Sequence, residues 1–341
     1  MILRTDTPEL FVAAVGTAAE LLRNGEVVAL PTETVYGLAA NALKAEAVAQ
    51  IYELKGRPAH NPIIVHVASW EMARSCADKW PEIADKLGRA FWPGPLTMVL
   101  PRAKTIPDIV TAGGATVGIR WPSHPFMQAV IHACGFPLAA PSANLSNQLS
   151  PTNAEHVAKA FGGSIPLIVD GGQCQVGIES TVLDITSSPP RVLRPGMIHE
   201  ESLVAVTGEV WNARTGANFA APEDGPAPKE PALRSPGMLQ KHYSPKARLV
   251  IWNWRSDAEL REKVAALKVC QPFVIAHTRI PSAEGFAGVS LIPHDPEAFA
   301  RAIYAELHRC DEGGADWIIV EELPEGIEWQ GIADRLRKAA A

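Results

Sequence analysis

The chain has 341 residues, enough for about two domains, with 47% hydrophobic and 20% charged residues, the balance of a globular protein with a sizeable core. Its formal charge is −6, and neither half is basic: residues 1–200 carry 15 Lys+Arg against 17 Asp+Glu, and residues 201–341 carry 16 against 20. That excludes a broad electrostatic footprint for nucleic acid, though not a small local patch. Five scattered cysteines form no C-x-x-C pair, so neither a zinc site nor a disulfide framework is indicated, and a reducing, cytoplasmic setting is expected. MILRTDTPEL lacks the apolar core of a secretory signal, and no run reaches the length of a membrane span.

In chain order, residues 8–23 have the spacing of an amphipathic helix, with Leu10, Phe11, Ala14, Ala18 and Leu21 on one face. A strand over 26–30 runs into PTETVYG, a dense row of hydroxyls around Glu33. Residues 45–54 read as a helix, with Gly56 as its cap and Pro58 beyond. NPIIVHVAS, PLTMVL and TVGIRW read as strands, and Ser123 is placed to cap a helix beginning at Pro125. PLAAPSAN reads as a strand running into a loop. SPTNAEHVAKAFGG reads as a helix with a capping box at Thr152 and Glu155 and a Gly162–Gly163 stop. PLIVD, STVLDI and RVLRPG complete an α/β layered domain over 1–211.

Residues 212–247 contain six prolines and few large apolar residues before SPGMLQKHYSP, the pattern of an extended linker. Over 248–341, strands LVIWNW, PFVIAHT and WIIVEEL alternate with helices near 256–267, 296–309 and 333–341, a small Rossmann-like layout without G-x-G-x-x-G.

No P-loop, H-E-x-x-H or G-x-S-x-G is present, so any nucleotide is held by other means. Polar clusters instead gather at strand ends, where ligands of α/β sheets bind. Lys55 and Arg57 end a helix, and taken alone they are better explained as standard stop signals than as a phosphate site. His66 alternates with Val65 and Val67 in a strand, where a satisfied core histidine is the commoner outcome. Strand period two puts Thr116, Gly118 and Arg120 on one face, either the floor of an anion site or a solvated edge. Ser142, Asn144, Ser146 and Ser150 follow a buried strand, near a helix N-terminus that could receive phosphate. GIESTVLD puts Ser180, Val182 and Asp184 on one strand face, and Arg194 stands just before a Pro-Gly turn.

PTETVYGLA, KGRPAHNPIIVH, FWPGPLT, TVGIRWPSHP, PLAAPSANLS, VDGG, GIESTVLD and LRPG, in this order, resemble the YrdC-type L-threonylcarbamoyladenylate synthases. SPGMLQKHYSP is similar to the linker signature of their long, two-domain form. Two positions depart from the family pattern: Asn147 and Ser244 stand where glycine and alanine are usual. The resemblance implies a YrdC-like twisted mixed sheet with flanking helices forming an open cleft, plus a small Rossmann-like C-terminal domain.

It further implies condensation of L-threonine, bicarbonate or CO2, and ATP into threonylcarbamoyl-AMP and pyrophosphate, with Mg²⁺ accompanying ATP and no protein ligand assigned to the metal. A separate tRNA threonylcarbamoyltransferase complex then uses the product, so contact with tRNA is expected to be weak or indirect. The same resemblance assigns Thr34, His66, Arg120, the Ala140 backbone and Ser180 to threonine. It assigns Arg57, Asn61, Thr116, Ser142, Asn144, Ser150, Arg194 and Tyr243 to ATP. Lys55 and Arg57 are expected to stabilise phosphate charge, and residues 235–245 to fold over the cleft as a lid. Roles for Thr32 and Glu33 stay open. An RNA-binding module or a carbamoyltransferase of the same fold are the alternatives, the first disfavoured by the acidic balance and the second by the lack of zinc-binding cysteine motifs.

Overall fold

The computed structural model describes residues 1–208, 210–212, 243–267 and 269–341. Met238, Leu239 and His242, expected to form part of a lid, lie outside the described residues; Tyr243 lies within them.

The larger sheet has eleven strands: β1 (Ile2–Arg4), β2 (Val28–Leu30), β3 (Gly37–Asn41), β4 (Val65–His66), β5 (Leu96–Pro101), β6 (Thr116–Arg120), β7 (Leu138–Ala139), β8 (Leu167–Asp170), β9 (Thr181–Asp184), β10 (Arg191–Arg194) and β11 (Trp211–Asn212). Their order is β1-β8-β2-β3-β7-β4-β6-β5-β9-β10-β11, with parallel and antiparallel pairs mixed. β6 is therefore interior, paired to β4 and β5, and the solvated-edge reading of TVGIR is overturned. One face of the sheet buries the helices Pro8–Arg23 and Pro125–Cys134 against Val28, Leu30 and Leu138. The other buries the helix Ala45–Lys55 against Leu38, Val65 and Ile119.

The second sheet is parallel throughout, ordered β12 (Arg248–Trp252), β15 (Trp317–Glu321), β13 (Pro272–Ala276) and β14 (Gly288–Leu291). Helices Pro296–Glu312 and Gln330–Ala340 cover its face toward the first unit. The apolar cluster there includes Val35, Leu149 and Ile178 of the first unit, so the two sheets share a core. Trp254, Leu260 and Val264 cover the opposite face.

Several local expectations change. His124, not Ser123, caps Pro125–Cys134 by accepting from the Phe126 amide. Asn153 caps the helix Ala154–Phe161 by accepting from the His156 amide, so the cap lies one residue after Thr152. NPIIVHVAS and PLAAPSAN contribute only two ladder residues each, because their flanks bend away to line a cleft. Strand β3 and the helices Trp70–Ser75, Glu82–Phe91 and Glu200–Thr207 are additional. Ile83, Leu87 and Phe91 at helical spacing mark the second of these helices in the sequence.

Candidate active site

PTET leaves β2 as a turn fastened by its own hydroxyls. Thr32 Oγ1 donates to the Val35 carbonyl (2.6 Å) and accepts the Thr34 amide (3.2 Å). Thr32 has one hydroxyl proton, so in the 2.9 Å contact between the two hydroxyls Thr34 is the donor. Thr34 Oγ1 in turn accepts from Arg120 Nη1 at 2.8 Å. The open residues thereby gain roles: Thr32 shapes the turn, and Glu33 sets its carboxylate 2.6 Å from Arg120 Nη2. That contact is a close ion pair without hydrogen-bond alignment. Both side chains are nearly inaccessible, at 5% and 7% exposure, so Arg120 faces the cleft floor with Glu33 fixed behind it.

Around this floor a single cleft is lined by Thr34, Arg57, His66, Arg120, Ala140, Ser142, Ser180, Arg194 and Tyr243, together with Thr32, Tyr36 and Glu179. Burial, then the Arg120 charge, lowers His66 to about 3, so its imidazole is neutral near pH 7. Its Nδ1 has no hydrogen-bond partner among the described residues. The Ala140 amide is spent on the Ile64 carbonyl (3.1 Å), leaving its carbonyl as the group that could meet a ligand.

At one end Arg57 donates to the Asn61 carbonyl (3.0 Å), Asn61 Oδ1 (2.8 Å) and the Pro62 carbonyl (2.6 Å). It thus braces the loop after the helix Ala45–Lys55 while facing the cleft. Burial lowers Arg57 to about 10, still far above neutrality, so it stays a cation. Lys55 is buried, and its Nζ is bonded to the carbonyls of Ser142 (2.6 Å) and Asn144, and more weakly to Asn144 Oδ1 (3.3 Å). Burial and then Arg57 push its pKa down well below the usual lysine value.

At the other end Arg194 donates to the Ser180 carbonyl and hydroxyl, both at 3.1 Å, and that hydroxyl also meets Thr97 Oγ1 at 2.8 Å. Tyr243 is buried among the same residues in the left-handed backbone region (φ 61°). Burial first, and then the charge of Glu179, raises its hydroxyl to about 12.

Nine of the expected residues therefore meet at one cleft, and five do not line it. Lys55 and Asn144 form the support behind Ser142. Asn61 supports Arg57, and Ser150 turns its hydroxyl to Glu179 (2.5 Å). Thr116 lies on β6 beside a small neighbouring pocket. Gly118 there lets two strands approach, since a Cβ would stand 3.2 Å from Thr97 Cγ2. The sequence reading missed Thr97 and Glu179. A carboxylate directly before Ser180, inside a cleft rich in arginine, was the available signal.

A family model described as telomere recombination matches residues 20–196, and one described as the C-terminal domain of threonylcarbamoyl-AMP synthase matches 198–341. The threonylcarbamoyl-AMP synthase of Pyrococcus abyssi is 39% identical over 328 residues, covering 95% of this chain and 93% of that one. The chain belongs to the threonylcarbamoyl-AMP synthase family. Another relative, from Bacillus subtilis, is 40% identical, with 99% and 94% of the two chains covered. The crystal structure of P. abyssi Sua5 complexed with L-threonine matches at a TM-score of 0.87 and 38% identity, over 100% of this chain and 97% of that one. The two departures from the synthase pattern also find their place. Asn147 sits in the left-handed region (φ 67°), which glycine enters freely and asparagine better than most. Its carbonyl accepts the Ser244 amide at 2.8 Å, which anchors the segment that carries Tyr243.

Proposed function

We propose that this cleft makes threonylcarbamoyl-AMP from L-threonine, bicarbonate or CO2, and ATP, releasing pyrophosphate. The observation that carries this reading is the meeting of Arg57, Arg120 and Arg194 with Thr34, Ser142, Ser180 and a neutral His66 in one cleft. The neutral threonine amine adds to CO2 and releases one N–H proton to solvent to give a carbamate, and a carbamate oxygen forms a bond to the α-phosphorus. The bond to the β-phosphate oxygen breaks, and pyrophosphate takes that electron pair. Two anions must meet, so fixed cations that need no reorganisation are the main contribution a protein can make.

Arg120, held by Glu33 and Thr34, suits the threonine carboxylate, and His66 Nδ1 can accept from the substrate's hydroxyl or amine. Ser180 and the Ala140 carbonyl would complete that pocket. Arg57, Ser142, Arg194 and Tyr243 suit the triphosphate and nucleoside, supported from behind by Asn61, Asn144, Ser150 and Lys55. Thr116 is kept as a more distant contributor to the nucleotide side. Magnesium is proposed to arrive on the phosphate oxygens of ATP. This fits the donor set, because the described residues contain no group of three metal-ligating side chains and Glu179 is already saturated by protein donors.

The cavity measures about 50 Å³, whereas small-molecule sites commonly offer roughly 300 Å³ or more. Tyr243 is among the side chains that narrow it, which supports a part for this residue in closing the cleft over its substrates. No helix among the described residues is long and apolar enough to cross a membrane. Work in the cytoplasm, and delivery of the product to a tRNA threonylcarbamoyl-transferring complex, are part of the proposal. The test is pyrophosphate release that requires both threonine and bicarbonate, with mass spectrometry of the nucleotide product. Release without threonine, or free AMP as the sole product in fresh reactions, overturns it.

A further inference from the structure

The described residues place one buried ion pair between the cleft and the C-terminal unit. Glu179 lines the cleft directly before Ser180. Its carboxylate accepts from Arg335 Nε (2.7 Å), Ser150 Oγ (2.5 Å) and the Tyr304 hydroxyl (3.2 and 3.3 Å). Arg335 comes from the last helix and Tyr304 from Pro296–Glu312. The same guanidinium donates through Nη2 to the Glu179 carbonyl (3.1 Å) and through Nη1 to the Pro195 carbonyl (2.7 Å). It thus joins the residue before Ser180 to the residue after Arg194, and Ser180 and Arg194 are themselves bonded to each other.

Geometry of the last helix serves this grip. A Cβ on Gly331 would stand 2.9 Å from the Gly196 carbonyl oxygen, so only glycine lets the helix come this close to the turn after Arg194. An apolar interface would join the two units at least as tightly, because a buried ion pair is commonly no better for stability than well-packed hydrophobic residues. What the pair adds is direction: three bonds from Arg335 fix where the Glu179 and Pro195 segments of the cleft lie relative to one another.

We propose that Arg335, with Tyr304 beside it, is a positioning residue for the reaction. The C-terminal unit acts through Glu179 and Pro195 to set Ser180 and Arg194 against the substrates. This rests on the function proposed above. In the full-length protein, Arg335→Met and Gly331→Ala should lower kcat/KM for threonine-dependent pyrophosphate release at least tenfold. Each should also weaken L-threonine binding measured by calorimetry. Arg335→Lys, which keeps the charge and loses the fork, should fall between these and wild type, and it carries the test if the other two do not fold.

Val274→Ala, on the far face of the small sheet, provides a variant with comparable loss of Tm and the clamp intact. It should stay within twofold of wild type below its Tm. Folded Arg335→Met or Gly331→Ala with wild-type constants overturns the proposal, as does an equal loss of activity in Val274→Ala. If wild type itself shows no threonine-dependent release, the functional reading fails rather than the clamp. Hydrogen exchange over 178–182 and 193–196 then decides the clamp: faster exchange in Arg335→Met than in Val274→Ala supports it, and equal rates overturn it.

Discussion

Replacing Arg57 by alanine should damage both catalysis and the fold, and the structure separates the two. The guanidinium makes three charge-assisted bonds, to the Asn61 carbonyl and side chain and to the Pro62 carbonyl. Hydrogen bonds from an ionised donor contribute about 1.5–3 kcal/mol each and are not additive within one side chain, so a loss of roughly 2–4 kcal/mol of stability is expected. At about 2–4 °C per kcal/mol for a unit of this size, that lowers Tm by roughly 5–15 °C. The catalytic loss comes on top. One preorganised donor facing developing charge typically supplies about 10²–10³ in kcat. Arg57→Lys keeps a cation but cannot reach all three acceptors, so it should recover part of the activity and little of the stability. The assay is threonine- and bicarbonate-dependent pyrophosphate release at a temperature where each variant is folded, beside thermal unfolding. If folded Arg57→Ala releases pyrophosphate within threefold of wild type, Arg57 is only a brace for its loop and the phosphate role is refuted.

L-Serine should be a poor but detectable substrate, about 10–200-fold below threonine, because it lacks one methyl in a fitted pocket. Valine should do worse, and valine turning over as well as threonine removes Thr34 and Ser180 from recognition. Arg120→Met leaves Glu33 buried without its counter-charge and should cost about 3–5 kcal/mol in urea unfolding, with Glu33→Gln in the same chain restoring part of it. A double-mutant cycle with no coupling sinks that assignment. His66, lowered to about 3 by burial and then by Arg120, gives a signed pH effect. Between pH 6.5 and 3 the unfolded chain binds a proton that the folded chain refuses, so stability drops as pH falls, at about 1.4 kcal/mol per unit in mid-window. His66→Gln should flatten that slope by about one proton. Glu179 is pushed up by burial but held at about 2 by Arg335 and Arg194, and it adds a second loss between pH 4.5 and 2.

Much of this site was legible because its chemistry is written into short segments. A core strand that ends in PTET places hydroxyls where apolar residues would cost nothing, and Thr34 does sit at the cleft with Arg120. The alternation in TVGIR put Arg120 on the correct face, but sequence could not tell an edge from the interior, because that depends on which strands pair with β6. The roles of Lys55 and Ser150 were less legible. An ammonium at a helix end looks ready for phosphate, and only the loop 142–144 returning over it shows that carbonyls already surround it. Ser150 faces a carboxylate rather than the cleft for the same reason. Glu179 and Arg335 stand 156 positions apart, a separation at which no local pattern links two residues.

That long-range pair bears on how an acidic chain can serve anionic substrates. The net charge of −6 governs the far field, while a cleft lined by one sign of charge governs what binds inside it. Glu179 lines this cleft and Glu33 lies against Arg120 behind its lining, and each alone would repel a carboxylate or a phosphate. Each is matched by its own arginine, Arg120 from within the first unit and Arg335 from the second. Glu33 fixes Arg120 at the floor, where it keeps Nη1 on Thr34. Arg335 is the larger of the two arginine charges that hold Glu179 ionised, with Arg194 acting on the same carboxylate. The electrostatics of the catalytic sheet are therefore completed by Arg335, on the last helix of the second unit. A first unit cut free of the second would keep every residue assigned to threonine and leave the carboxylate beside Ser180 without the Arg335 guanidinium, with Arg194 and Ser150 as its remaining partners.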